Sequence, residues 1–432
     1  MARAESGILR YETTLNPEAR ERIREIGRAD LLVGIPSYRN GRTIGKVLEV
    51  VTEGIATYLR DKRVVLMNAD GDSTDNTVSK VRETKTPANV KKLCIVYKGK
   101  SGKGLAVRSI FEAAACLETK ACLVVEARAP GIRPEWLPWL IEPVLAGDDV
   151  AFACYNKSAY AASFVDNLFY PFLRVFLNAD LREPLCSEFC IRTALGEELA
   201  GKDVWETDVA QFGVNVWIAI QALVEGWDIS QVALGFRGDP SGDPGDMLDA
   251  RFDHAVGTLF RLLTVHEELW RNGPPHRHLP FRRVRNLDVT PPCRDCVGDL
   301  MYGMREGWEI YGKDWEAILS PETFARVLNL LALDVEDFVF PETLWGNVIM
   351  EFAMSHNRGD GDPDRIVKSL LPLFYGRTAT YVRQTMELTL AEREAVVQRV
   401  LSAFSALKSS FIRQWSEYDS WFDTDSGFWL GA

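Results

Sequence analysis

Ile35-Pro36-Ser37-Tyr38-Arg39-Asn40 closes a short apolar run that begins at Asp30, and this polar turn leads into an amphipathic stretch from Ile44 to Tyr58. The pattern recurs. Arg63–Asn68 is a second apolar run, ended by Asn68-Ala69-Asp70-Gly71-Asp72-Ser73-Thr74-Asp75-Asn76-Thr77. Lys92–Tyr97 is a third, followed by Lys98-Gly99-Lys100-Ser101-Gly102-Lys103-Gly104, and Ala121–Glu126 is a fourth, running into Ala127-Arg128. Val150–Tyr155 is a fifth. Helical spacing predicts helices over Leu105–Leu117 and Pro134–Leu145, and Thr74 reads as the cap of a helix between the second and third runs. Continuous apolar runs separated by amphipathic helices specify an α/β fold with a mostly parallel sheet covered on both faces.

After Tyr155 the pattern loosens. Aromatic-rich Tyr160–Leu177 and Val209–Glu225 read as helices with an irregular segment between them, Ile229–Phe236 as a strand and Phe252–Trp270 as a helix. A Pro/His/Arg-rich connector follows, and from Val297 to about Tyr418 the periodicity is helical with little strand character. The chain therefore divides by pattern into an α/β domain over 1–271, a connector over 272–296 and an all-helical C-terminal region over 297–432. Trp315, Trp345, Trp415, Trp421 and Trp429 in that last region serve either core packing or a homodimer face.

Composition narrows the partners. The net charge is 50 − 61 = −11 with basic residues dispersed among acidic ones, which argues against a general nucleic-acid or anionic-membrane binder. No apolar stretch approaches the roughly 20 residues of a membrane span, and the N-terminal segment lacks a signal-peptide core. A cytoplasmic location with reduced cysteines is the expectation. Cys186 with Cys190, and Cys293 with Cys296, have zinc-like spacings, but about 100 residues separate the pairs and buried or loop thiols are the better reading. His276 and His278 sit beside Arg and Pro and read as solvated.

In open parallel sheets ligands bind beyond the carboxyl ends of the strands. Taken singly, the Asp/Gly/Ser loop is an ordinary turn and the Gly/Lys loop a solvated one. Four such loops on successive strand ends are harder to obtain by accident. Position 97, five before Gly102, is Tyr rather than Gly, which excludes a triphosphate P-loop, and no G-x-G-x-x-G follows the first strand. In this order the loops resemble those of the family-2-like glycosyltransferases of the GT-A fold, nucleotide-diphospho-sugar transferases, and within them the subgroup around glucosyl-3-phosphoglycerate synthase and mannosylglycerate synthase. The resemblance covers mainly residues 30–270. It implies that Pro36 and Tyr38 flank a nucleobase, that Asp70 accepts hydrogen bonds from base or ribose, and that Lys103, with the Gly102 and Gly104 backbone, contacts the nucleotide. It also implies a nucleoside-diphosphate sugar as donor and a small hydroxyl acceptor, glycerate-like or a sugar, with a leaning to retention.

Departures from that pattern cluster. Glu126 stands for the first acid of the Asp-x-Asp metal motif, but Arg128 occupies the second. A His-Asp-Pro segment reads Arg237-Gly238-Asp239-Pro240, a Gly-Gly-Asp loop reads Cys186-Ser187-Glu188, and the acid of a Phe-Gly-Ile-Asp helix is Asn215. Two readings stand. In one, Arg128 grips the diphosphate in place of magnesium or manganese, helped by Lys100, Arg133 or Arg237, no residue is assigned to a metal, and Glu188 is the base or orienting group on the acceptor side. In the other, the chain is a catalytically degenerate nucleotide-binding or assembly scaffold. Asp208 reads as the cap of the helix that follows it.

Overall fold

A computed structural model describes residues 12–237, 248–283, 285–359 and 361–418. Its sheet has seven strands: β1 (Leu31–Ser37), β2 (Val64–Asp70), β3 (Val90–Val96), β4 (Ala121–Val124), β5 (Val150–Asn156), β6 (Phe189–Arg192) and β7 (Ile229–Phe236), in the order β3-β2-β1-β4-β6-β5-β7. β1 pairs in parallel with β2 and β4, and β2 with β3, whereas β6 runs antiparallel to both β4 and β5. The α/β class with a mostly parallel sheet and a helical C-terminal region is thus the one observed.

Every residue of β1 and β2 is buried, which is why these runs show no polar alternation. Helix Lys103–Cys116 approaches β1 so closely that a Cβ on Gly34 would lie 2.5 Å from the Ile110 side chain. That contact seats the start of the helix at the carboxyl end of the strands. The expectations for Ile44–Tyr58 and Ile229–Phe236 coincide with the observed elements. The helix after β2 is Thr77–Glu83, and its first turn is satisfied not by Thr74 but by Asp75, whose carboxylate accepts from Thr77 N at 3.0 Å and Gly41 N at 2.9 Å. The Thr77 hydroxyl, with those amides, holds Asp75 below the usual carboxylate range.

β6 was not expected: residues 178–208 read as irregular. Its four residues Phe-Cys-Ile-Arg are too few for a recognisable period. The predicted helix Tyr160–Leu177 is two α-helices, Ala159–Phe164 and Tyr170–Leu177, joined by a π-turn over Val165–Phe169.

The chain forms two compact units that interleave along the sequence. One runs to Ala153 and takes back Cys186–Asn215 and Trp227–Val232; the other comprises Cys154–Leu185, Val216–Gly226 and the described residues from Ala233. Compactness therefore follows a different partition from the sequence division at 271 and 297. Within the second unit the C-terminal helices close over the segment after β5: Trp345 Nε1 donates to Asn167 O at 2.7 Å, Arg377 Nε donates to Asn167 Oδ1 at 2.8 Å, and Tyr381 donates to Asp166 at 2.5 Å. Trp315 and Trp345 are fully buried, and Trp415 is buried against Trp270 and Phe411. These three are core residues and offer no dimer face; Trp421 and Trp429 lie outside the described residues.

Candidate active site

The carboxyl ends of β1, β2 and β3 lie in register, with Ser37 opposite Asp70 and Asp70 opposite Val96. Asp70 has no solvent exposure. Its carboxylate accepts from Ser37 Oγ at 2.6 Å, Ser73 N at 2.7 Å and Ser73 Oγ at 2.9 Å, so these three bonds go to protein donors and tie the β2 loop to the end of β1. Ser73 Oγ in turn accepts from Arg39 N at 2.8 Å, which helps hold Arg39 at its left-handed φ of 54°. Pro36 is buried in β1, beyond the stretch that pairs with β4. Tyr38 is 48% exposed, with the Arg39 guanidinium over its ring 5.2 Å from the centre. Tyr97 closes the third loop, its hydroxyl accepting from Gly102 N at 2.9 Å and donating to Gly102 O at 3.0 Å.

The polar centre lies at the end of β4. Lys103, first residue of its helix, places Nζ 3.0 Å from Glu126 Oε1 and 3.1 Å from Ser187 Oγ. Ser187 Oγ donates to the same Glu126 oxygen at 3.1 Å, closing a triangle, and Asn215 Nδ2 stands 3.5 Å from Ser187 Oγ. The Lys103 and Glu126 side chains retain only 10% and 13% exposure. Ser187 reaches this point because β6 begins at Phe189, paired with Val124 of β4. Glu188, between them, is buried at 1% exposure, and its carbonyl accepts from Ala153 N at 3.1 Å. Arg128 is half-buried two residues past Glu126. The structure thus brings Lys103, Glu126 and the Ser187-Glu188 segment together, while the Asp70 carboxylate is engaged elsewhere on the same sheet end. Ser187 escaped sequence reasoning as a partner of Lys103, although the Cys186-Ser187-Glu188 segment was singled out for the acceptor side.

Gly102 and Gly104 have a different reason from the one the resemblance implied. A Cβ on Gly104 would lie 1.8 Å from Val209 O, and one on Gly102 2.4 Å from Ala210 O. Gly104 N also donates to Gln211 O at 3.0 Å. The close approach is to the chain's own backbone at 209–211. In that segment Thr207, not Asp208, supplies the capping oxygen, to Val209 N, and Asp208 opens the short 3₁₀ turn Asp208–Ala210.

Few ligands for a divalent cation stand among the described residues of this site. Glu126 already holds an ammonium, Arg128 stands where a second acid would be needed, and among the described residues no group of three or more His, Cys, Asp or Glu could hold a metal ion. Gly238 and Asp239 lie outside the described residues. Arg237, in the second unit, stacks over Tyr155 with its guanidinium 4.9 Å from the ring centre. All eight cysteines are free thiols, and burial pushes Cys154 and Cys296 up to about 12, which keeps them protonated at neutral pH. His276 is not simply solvated: it lies 3.0 Å from Asp180, with His278 at 3.6 Å.

Fold and site together define an α/β protein whose parallel strands end in an open aromatic, a buried Asp–Ser clamp and a Lys–Glu–Ser triangle. Among solved structures the chain is similar to glucosyl-3-phosphoglycerate synthase from Mycobacterium tuberculosis in complex with Mn2+, uridine diphosphate and glucosyl-3-phosphoglycerate, at 20% identity and TM-score 0.42, covering 61% of this chain and 87% of that one. The same enzyme with Mg2+ and uridine diphosphate aligns at 19% identity and TM-score 0.41, covering 59% of this chain and 84% of that one. No protein-family model matches the chain, and no curated protein matches it. No described helix is long and apolar enough to cross a membrane.

Proposed function

We propose that this chain is a glycosyltransferase that moves a hexose from a nucleoside-diphosphate sugar to a small hydroxyl acceptor, glycerate-like or a sugar, without a divalent cation. The observation that carries the reading is the Lys103–Glu126–Ser187 triangle at the end of β4, with buried Glu188 next in the chain. In this reading the exposed ring of Tyr38, near Pro36, receives the nucleobase. Lys103 and Arg128 supply the positive charge that the leaving diphosphate requires, with Glu126 aiming the ammonium. The bond from the anomeric carbon to the diphosphate oxygen breaks, a bond to the acceptor oxygen forms, and the acceptor proton passes to Glu188. A product assay over uridine, guanosine and adenosine diphosphate sugars, with hydroxy-acid and sugar acceptors, tests it. Absence of product from every pair would leave nucleotide binding alone, the scaffold reading.

Two consequences are measurable. Transfer and nucleotide affinity are expected to survive an excess of chelator unchanged; a strict requirement for manganese or magnesium would overturn the metal-free reading. Asp70→Asn is expected to lower unfolding free energy by about 1.5–3 kcal/mol, since a carboxylate accepting three bonds cannot be matched by an amide with one oxygen. Because Asp70 clamps the loop following β2, nucleotide affinity should fall with it in calorimetric titration. An unchanged denaturation midpoint would refute the clamp.

A further inference from the structure

The second unit contains a cavity of about 70 Å³ lined by Lys157, Arg182, Arg285 and Arg393, with Asp166, Glu183 and Glu394 beside them. Four cations face three carboxylates. Lys157 is matched by Glu183 at 2.7 Å, and Arg182 by Glu394 at 3.0 Å and Asp166 at 3.8 Å. The two remaining arginines are not matched in this way. Arg393 is 2% exposed; its Nη1 donates to Lys157 O at 2.9 Å, while its Nε and Nη2 are buried with no hydrogen-bond partner. Arg285 is half-buried, its Nε is likewise without a partner, and its Nη2 reaches Tyr155 O only at 3.5 Å.

A buried guanidinium with unused donors costs several kcal/mol unless a counter-charge meets it. The donors of a guanidinium form a planar fork suited to two oxygens of one anion. From these observations we infer that the cavity is a binding site for a small oxyanion, a phosphate or carboxylate group, held between Arg393 and Arg285 with Lys157 and Arg182 around it. A cavity of this size has room for such a group or for several waters. The site is built wholly from the second unit and does not depend on the transferase reading.

The test is calorimetric titration of the full chain with inorganic phosphate, sulfate and malonate, each against sodium chloride of equal ionic strength. Saturable one-site binding of phosphate or malonate is expected, the stronger of the two showing whether a phosphate or a carboxylate group is preferred. Arg393→Gln and Arg285→Gln should each weaken it at least tenfold, and Lys103→Met should leave it unchanged. Glu394→Gln removes a carboxylate from the rim and should tighten binding severalfold, which a merely structural cluster would not do. If Arg393→Gln does not fold, the half-buried Arg285 and Glu394 still decide the matter. No saturable binding, affinity equal to wild type in Arg285→Gln, or weaker binding in Glu394→Gln would overturn the inference.

Discussion

Lys103→Met is expected to reduce transfer about a hundred- to a thousandfold in kcat, the loss associated with removing one preorganised donor from a site of developing negative charge. Lys103 heads its helix, whose dipole reinforces the same positive field. The change also leaves Glu126, 13% exposed, with Ser187 Oγ at 3.1 Å as its remaining side-chain donor from the triangle. Breaking a largely buried pair from one side costs about 3 kcal/mol. The double change Lys103→Met with Glu126→Gln removes both charges and should recover most of that stability while recovering none of the activity. Thermal unfolding and initial rates on the three variants separate the two effects. Wild-type rates in Lys103→Met would remove the triangle from catalysis, and a double variant no more stable than the single would show that the pair is not coupled.

Gly104→Ala is expected to be the most destabilising small substitution in the first unit. The new methyl would sit 1.8 Å from Val209 O and within 2.8 Å of Ala210 backbone atoms, so relief requires the backbone to move rather than a side chain to turn. Overpacking of that kind costs about 3 kcal/mol or more. The same displacement would shift the start of helix Lys103–Cys116 and with it the Lys103 ammonium, so activity should fall together with stability. Gly201→Ala is the control: its φ is −84° and the nearest atom to an added Cβ is Glu198 O at 3.4 Å. That change should stay within about 0.5 kcal/mol of wild type. A Gly104→Ala protein with an unchanged denaturation midpoint would refute the close approach on which the loop is built.

Much of the α/β framework is a local property and was legible. The apolar runs that became β1, β2, β4 and β5, and the helix over Ile44–Tyr58, announce themselves through burial on both faces or through a 3.6-residue period, and neither needs a distant partner to be recognised. Residues Lys103 and Glu126 could be chosen from the ends of those runs because parallel strands carry their loops to one edge. For Asp70 and Gly104 the structure shows a further, internal use that the loop order does not announce. Both were assigned to a nucleotide, whereas Asp70 spends three bonds on Ser37 and Ser73, and Gly104 makes room for Val209. A loop motif does not say whether its polar and small residues serve a ligand or the chain itself.

What the sequence by itself determined is therefore the order of the first five strands and the helices between them, the edge at which their loops gather, and the chemical oddity of an Arg at position 128. Only the tertiary structure decided that β6 inserts antiparallel between β4 and β5, bringing Ser187 onto Lys103 and Glu126 and burying Glu188. Only it decided that Arg393, one of four basic residues on a long helix, turns unused donors into a cavity shared with Lys157, 236 positions away in sequence. The reason is physical: periodicity records which face of an element meets the core, but which residues meet across the core depends on loop closures between distant positions. No local pattern encodes those.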